Sequence, residues 1–256
     1  IRLRGEFADS TYKDLNLQFK LVSLDKVTPA IDSLKMNGKV DGFLNILQKD
    51  GNYLPTSSLK IESFSVNDIR LGDLEVGIYG NNDLTEFGVS TWLNDNGKEL
   101  MNVNGKVTNI NNVQELDLKA NFTDFALEPF NPLGEDIISN IRGRVTGDAT
   151  ITGNVENLSI NGLLQLNDAG IGIPYLNVDY DFAPYSQVRL FDQTFYFENV
   201  QLSDVKEKTT ATLDGTISHT GFDDWYLGLD VDTNNDRFMI LNTEYDEESL
   251  YLSLIH

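Results

Sequence analysis

The chain has no cysteine, and only two histidines, two tryptophans and six prolines in 256 residues. Without cysteine there are no disulfides and no thiolate metal sites, whatever the redox state of the compartment. His256 is terminal, which leaves His219 as the lone candidate base of a Ser-His-acid triad or ligand for zinc. It sits in the polar run Ser218-His219-Thr220-Gly221, and no Gly-x-Ser-x-Gly elbow accompanies it, so neither chemistry is expected. Positive charge is scarce as well: 19 Lys and Arg stand against 40 Asp and Glu, a net charge of −21. That balance speaks against nucleic acid, whose phosphates must be met by Lys and Arg, and against flat docking on anionic lipid, which needs polybasic segments. No apolar run reaches the roughly 18 residues of a membrane-spanning helix, and no signal peptide is visible.

What the chain has is alternation. Val145, Ala149 and Ile151 fall on odd positions with Thr146, Asp148, Thr150 and Thr152 between them. Leu158, Ile160, Leu164 and Leu166 fall on even positions with Ser159, Asn161, Gln165 and Asn167 between. Leu15, Leu17, Phe19 and Leu21 follow the same rule near the start, and Gly38, Val40, Gly42, Leu44 and Ile46 share one side of the next strand. A period of two is that of a strand with one apolar and one wet face. Turn signals such as Asn94-Asp95-Asn96-Gly97 separate the runs. The spacing predicts about 16 to 18 strands and an all-β fold. Asn37-Gly38, Asn104-Gly105, Arg142-Gly143, Asn161-Gly162 and Asp214-Gly215 recur, each followed two residues later by an aliphatic. A glycine inside a strand marks a bend, a bulge or the close approach of another backbone. A structural repeat and the ordinary bends of a sandwich both fit that pattern.

Two short helical pieces are expected. One is a turn between Leu24 and Leu34 with Pro29 near its start. The other is a helix over 134–142, bracketed by Pro132 and Gly143. Glu135 and Asp136 lie in its first turn, Arg142 in its last, and Ile137, Ile138 and Ile141 form its apolar stripe. It divides a first set of strands (1–126) from a second (143–256), with 127–142 as helix and connection, all in one sheet fragment. Both ends of the sequence read as mid-strand, so the expectation is a piece of a longer protein.

The search for chemistry finds no active site. Asp230-Val231-Asp232-Thr233-Asn234-Asn235-Asp236 resembles the first half of a calcium loop. Asn235 then stands where glycine is required and Leu241 where the bidentate Glu should be. The acid pairs Asp223-Asp224 and Glu247-Glu248 are what 40 acidic residues produce by chance. The expectation is therefore not an enzyme, with no cofactor and no metal. The apolar face remains. Sealed against itself it is a core; left open it is a groove for acyl chains or extended peptides.

The run Asn131-Pro132-Leu133-Gly134, continued by Ile138-Ser139-Asn140-Ile141-Arg142-Gly143-Arg144-Val145-Thr146-Gly147 and Leu158-Ser159-Ile160-Asn161-Gly162-Leu163-Leu164, resembles the C-terminal region of the TamB family of AsmA-like proteins. Ile171-Gly172-Ile173-Pro174-Tyr175-Leu176 and Leu213-Asp214-Gly215-Thr216-Ile217 continue the likeness in a style resembling homologues from the Bacteroidota. It covers about residues 120–245. The resemblance implies an elongated, rolled antiparallel or mixed sheet, a half-pipe with an apolar concave face. It also implies a periplasmic protein, anchored in the inner membrane by parts outside this sequence, that works with an outer-membrane barrel of the Omp85 type (TamA-like). The implied roles are passage of phospholipid between the membranes and assembly of outer-membrane proteins, with no catalytic residues. The groove lining is then expected at Val145, Ile151, Leu158, Ile160, Leu164, Leu166, Leu176, Val178, Tyr180 and Phe182. Two other functions compete. One is a chaperone-like scaffold that pairs its open edge with nascent barrel strands. The other is a secreted carbohydrate-binding or adhesin-like β-domain using exposed aromatics, with Trp92 and Trp225 the only tryptophans.

Overall fold

The computed structural model describes residues 1–7, 12–28, 34–49, 52–80, 85–110, 113–134, 137–154, 157–220, 223–233, 237–242 and 250–252. These residues carry seventeen strands and three 3-10 turns, and all the strand pairs described are antiparallel. The fold is all-β. The chain divides into two compact units, unit 1 (1–123 and 150–159) and unit 2 (124–149 and 160–256). The unit boundaries differ from the strand sets expected at 1–126 and 143–256: residues 124–126 and the connection 127–142 belong with unit 2, and 150–159 with unit 1.

Unit 1 is a meander. Its strands are β1 (Arg2–Phe7), β2 (Tyr12–Ser23), β3 (Met36–Lys49), β4 (Asn52–Val66), β5 (Ile69–Gly80), β6 (Glu86–Asp95), β7 (Lys98–Ile110) and β8 (Val113–Ala126, of which the last three residues belong to unit 2). From β1 to β8, each pairs with its neighbour in the chain. Tight turns make this possible. Asn67 and Asp68 between β4 and β5, and Asn96 and Gly97 between β6 and β7, all have positive φ. That is the two-residue geometry whose twist matches paired strands, and Asn, Asp and Gly adopt it at least strain. A 3-10 turn, η1 (Leu24–Lys26), packs buried Leu24 toward β3. It coincides with the start of the helical turn expected at 24–34, while 29–33 lie outside the described residues.

Unit 2 contains η2 (Glu128–Gly134), β9 (Ser139–Asn154), β10 (Asn157–Ile173), η3 (Pro174–Leu176), β11 (Val178–Phe182), β12 (Gln187–Phe191), β13 (Thr194–Asp204), β14 (Thr210–Thr220), β15 (Asp223–Asp232), β16 (Phe238–Leu241) and β17 (Leu250–Leu252); the ends of β9 and β10 fall in unit 1. β10 pairs with both β11 and β12, β13 pairs with both in turn, and β14 and β15 follow. β16 and β17 form a separate hairpin.

The helix expected at 134–142 is corrected. The helical segment is η2, ending at Gly134, and residues 139–142 already belong to β9. Pro132 inside the turn lacks a donor, and the β-branched Ile137, Ile138 and Ile141 favour extended backbone. Only one further turn forms, where Ile137 and Ile138 donate to the Gly134 carbonyl at 2.9 and 2.6 Å. Glu135 and Asp136 lie outside the described residues. Leu176, expected in the groove lining, sits in the 3-10 turn η3, because Pro174 opens that turn and Asn177 closes it at φ 52°.

One device recurs in both units. Leu21, Ser63 and Asn199 have φ of 50°, 53° and 53°, and each lies where the register of its strand slips by one residue. Their backbone N–H groups donate to Asp41 (3.1 Å), Asp73 (3.0 Å) and Asp214 (2.7 Å) on the neighbouring strand. Asp124 at φ 53° donates likewise to the Thr146 hydroxyl at 3.0 Å. Each acceptor is adjacent to a glycine, Gly42, Gly72, Gly215 or Gly147. A bulge bends its strand and shifts the two-residue period by one. Hence Phe19 and Val22, three apart, both stand on the apolar side, opposite Gly42 and Val40. Leu21, expected on that side, is the bulge itself and is 59% exposed.

Candidate functional site

In unit 1 the register lays apolar side chains in rows across the strands. Phe19, Gly42, Leu59, Val76, Thr91, Val103 and Ala120 stand opposite one another in turn, as do Leu17, Leu44, Ser57, Ile78, Val89, Gly105 and Leu118. Paired residues share a face, so these rows form one apolar surface. Leu17, Leu44, Leu59, Val76, Ile78, Val89, Val103 and Leu118 are only half-buried. Ten described hydrophobic residues of the unit are fully buried, among them Val40, Ile61, Phe64, Leu93, Val107 and Ala120. Among the described residues of the unit, η1 is the one helical element. Small residues line the middle of the face. At Gly105 the carbonyl of Asp117 occupies the space a Cβ would need.

The opposite face of unit 1 is polar with aromatics set into it. Asp41, Lys60, Glu75 and Trp92 form one of its rows. With Ser58 and Gly77 they line a shallow depression of about 400 Å³. Phe43, Tyr79 and Trp92 are 38%, 62% and 37% exposed, and the ring of Tyr79 lies over Gly88.

Unit 2 fills its apolar face. Phe182 and Phe197 stack at 6.0 Å, Tyr180 and Phe238 at 5.0 Å, and Phe195, His219 and Trp225 form an aromatic cluster. Two elements close over it. β16 supplies fully buried Phe238 and Met239, whose carbonyl accepts from the Tyr180 hydroxyl at 2.7 Å. η2 supplies the Leu133 carbonyl, which accepts from the Trp225 indole at 3.0 Å. Of the expected groove residues, Val145, Leu166, Val178, Tyr180 and Phe182 are buried in this core. Ile160, Leu164 and Leu176 are half-buried in unit 2, with Leu164 opposite Val188. Ile151 and Leu158, also half-buried, belong with unit 1.

Burial holds the Tyr180 phenol far above its usual range, and the charge of Asp204 adds to the effect. Burial also lowers the pKa of His219. Arg142, expected at a helix end, crosses β10 and β11 instead. It pairs with Asp179 at 2.6 Å and Asp181 at 2.5 Å and donates to the Tyr180 carbonyl at 3.0 Å. Burial works to lower its pKa, and the hydrogen bonds to Asp181 and Asp179 outweigh that, so its charge is held. Asn140, Asn177, Asp179 and Lys206 line a depression of about 290 Å³. Among the described residues no three His, Asp or Glu side chains come together as a metal site. Residues 234–236 of the calcium-like run and the pair Glu247-Glu248 lie outside the described residues, as does the Asp223 side chain.

The open surface is therefore assembled chiefly from β2 to β8, which sequence reasoning recognised as strands without naming as a site. A signal was present. The face of unit 1 is rich in Gly, Ser, Thr and Val, and that of unit 2 in Phe, Tyr and Trp. Comparison with protein-family models, with curated proteins and with solved structures finds no match for this chain.

Proposed function

We propose that the apolar face of unit 1 is a groove that holds phospholipid acyl chains, and that the chain is part of a periplasmic bridge carrying lipid between inner and outer membranes. The single observation behind this reading is the run of half-buried aliphatic side chains across β2 to β8. An acyl chain laid there removes apolar surface from water at about 25 cal/mol per Å². Each step along the rows exchanges one aliphatic contact for another, so the path is nearly level. The head group stays in water, and a net charge of −21 keeps the protein off anionic bilayer surfaces. The bridge, the Omp85-type partner and the support of outer-membrane protein assembly rest on the TamB-like motifs. This reading assigns no reaction and no cofactor.

The test is native mass spectrometry of the chain purified in the presence of phosphatidylethanolamine. Wild type is expected to retain lipid, and Leu59→Glu with Val76→Glu to lose it while keeping its circular dichroism spectrum. A lipid-free wild type, or lipid that survives both substitutions, overturns the reading. One observation favours a second reading, glycan binding: the exposed rings of Phe43, Tyr79 and Trp92 stand on the polar face beside Lys60 and Glu75. Sugar-induced quenching of the Trp92 indole in a Trp225→Phe variant tests it.

A further inference from the structure

The turn that follows β10 shapes a site of its own in unit 2. Pro174 opens η3 and Asn177 closes it, and the end of β13 and Met239 of β16 help to complete the depression of about 290 Å³. Gly172 keeps its floor low, since a Cβ there would stand 2.8 Å from Ser139 Oγ. The lining is of two kinds. Pro174, Val178 and Met239 are apolar, while Ser139, Asn177, Asp204 and Lys206 are polar.

These polar groups have capacity to spare. Asp204 is 2% exposed; its Oδ2 accepts from the Glu207 N–H, and its Oδ1 has no partner among the described residues. Two residues on, the exposed Lys206 meets no described carboxylate, in a chain with 40 acidic residues. Its Nζ reaches only Asn242 Oδ1, at 3.4 Å. Asn177 donates one N–H to the Asn242 carbonyl at 3.1 Å, which leaves its second N–H and its Oδ1. Asp179, also in the lining, is already held by Arg142.

The chemistry narrows what fits. A carboxylate only accepts, an ammonium only donates, and an amide does both. The unpaired charges of Asp204 and Lys206 cancel, so the matching ligand is neutral and its groups both donate and accept. Hydroxyls do that. The volume suits a single small ring, and the apolar part of the lining suits its C–H face. Tyr175, 89% exposed, stands in the same turn and offers an aromatic ring beside the site. We propose that this depression binds a neutral sugar ring, whose hydroxyls bridge Asp204, Lys206 and Asn177. The site lies in unit 2 and does not rest on the lipid reading.

The experiment is saturation-transfer NMR on the full chain with the methyl glycosides of glucose, galactose, mannose and N-acetylglucosamine. At least one is expected to bind with a Kd of about 1 mM, the range of a ligand of about a dozen heavy atoms. Lys206→Met with Asn177→Gly removes two bonding groups and is expected to fold, because Lys206 is exposed and glycine accepts the φ of 52°. This double variant is expected to bind about tenfold more weakly. Asp204→Asn keeps an oxygen for the Glu207 N–H and is expected to bind about fivefold more weakly. No binding by any of the four glycosides overturns the proposal. So does binding that the double variant leaves intact, which would place the sugar on another surface, such as that around Trp92. Glycine tests for a ligand recognised by its charges. Displacement of the glycoside by glycine at equal concentration overturns the neutral sugar as the ligand.

Discussion

Units 1 and 2 share their alternation, their antiparallel pairing and their bulges braced by a side chain on the next strand, yet they treat the apolar face in opposite ways. In unit 2 that face carries Tyr180, Phe182, Phe195, Phe197 and Trp225, and Phe238 and η2 close over it. In unit 1 the corresponding rows run through Gly42, Ser57, Thr91, Gly105 and Ala120, between half-buried Leu and Val. Periodicity decides which side of a strand is apolar. Side-chain size decides whether that side fills with protein or is left for something else.

The largest expected effect breaks the two units apart. Leu213 in unit 2 is 2% exposed, so Leu213→Ala leaves a cavity and is expected to destabilise that unit by about 3 to 4 kcal/mol. Leu59→Ala in unit 1 loses only partial burial and is expected to lose about 1 kcal/mol. Each unit has one tryptophan, Trp92 or Trp225, so urea melts of Trp92→Phe and Trp225→Phe backgrounds read the units separately. Equal losses at the two leucines would falsify the contrast. A second test probes what the units share. Gly105→Ala and Gly215→Ala push a methyl into an opposing backbone, the carbonyls of Asp117 and Gly228. Both are expected to lose about 2 kcal/mol, because neither depends on what covers the face.

Asp73→Ala and Asp214→Ala each unbrace one bulge, one in each unit, and are expected to lose about 1 kcal/mol apiece. A much larger loss in unit 2 alone would mean that the bulge depends on the core rather than shaping it. The smallest effect is confined to unit 2. His219 has a lowered pKa in the folded state, so the unfolded chain binds its proton more readily. Its contribution is whole above the ordinary value of about 6.5 and is lost as pH falls from there through the folded pKa. The Trp225-reported melting temperature is expected to fall over that window, and His219→Phe to flatten this part of the profile. A slope unchanged in the variant assigns it to other groups.

Much of this was legible in the sequence. The alternation at Leu158 to Leu166 and the Asn96-Gly97 turn were read as strand and hairpin, and they are. The recurring glycines at 105, 162 and 215 were read as a bend, a bulge or close backbone approach; each has an opposing backbone where a side chain would go. Leu21 was misplaced because a bulge shifts the period by one, and the cue, Asp41 on the next strand, is twenty residues away. Caps and charges at 134–142 point to a helix, but the β-branched Ile137, Ile138 and Ile141 favour extended backbone, and β9 begins at Ser139. The ten groove positions implied by the resemblance lie mostly in alternating strands. Clean alternation marks a filled core as readily as an open face, and five of the ten are buried in unit 2. What separates the two cases lies on strands distant in sequence, in the size of the residues facing one another.

The meander of unit 1 also has a mechanical consequence. From β1 to β8 each strand bonds to its neighbour in the chain, so every hydrogen-bonded ladder joins segments that are close in sequence. Tension applied to the two ends of such a segment loads the ladders one at a time, in the unzipping direction, rather than shearing several at once. Yielding then proceeds hairpin by hairpin from the edges, each step releasing a short length at low force. The same locality lets a stretched segment re-form from any intact hairpin, without waiting for distant parts of the chain to meet.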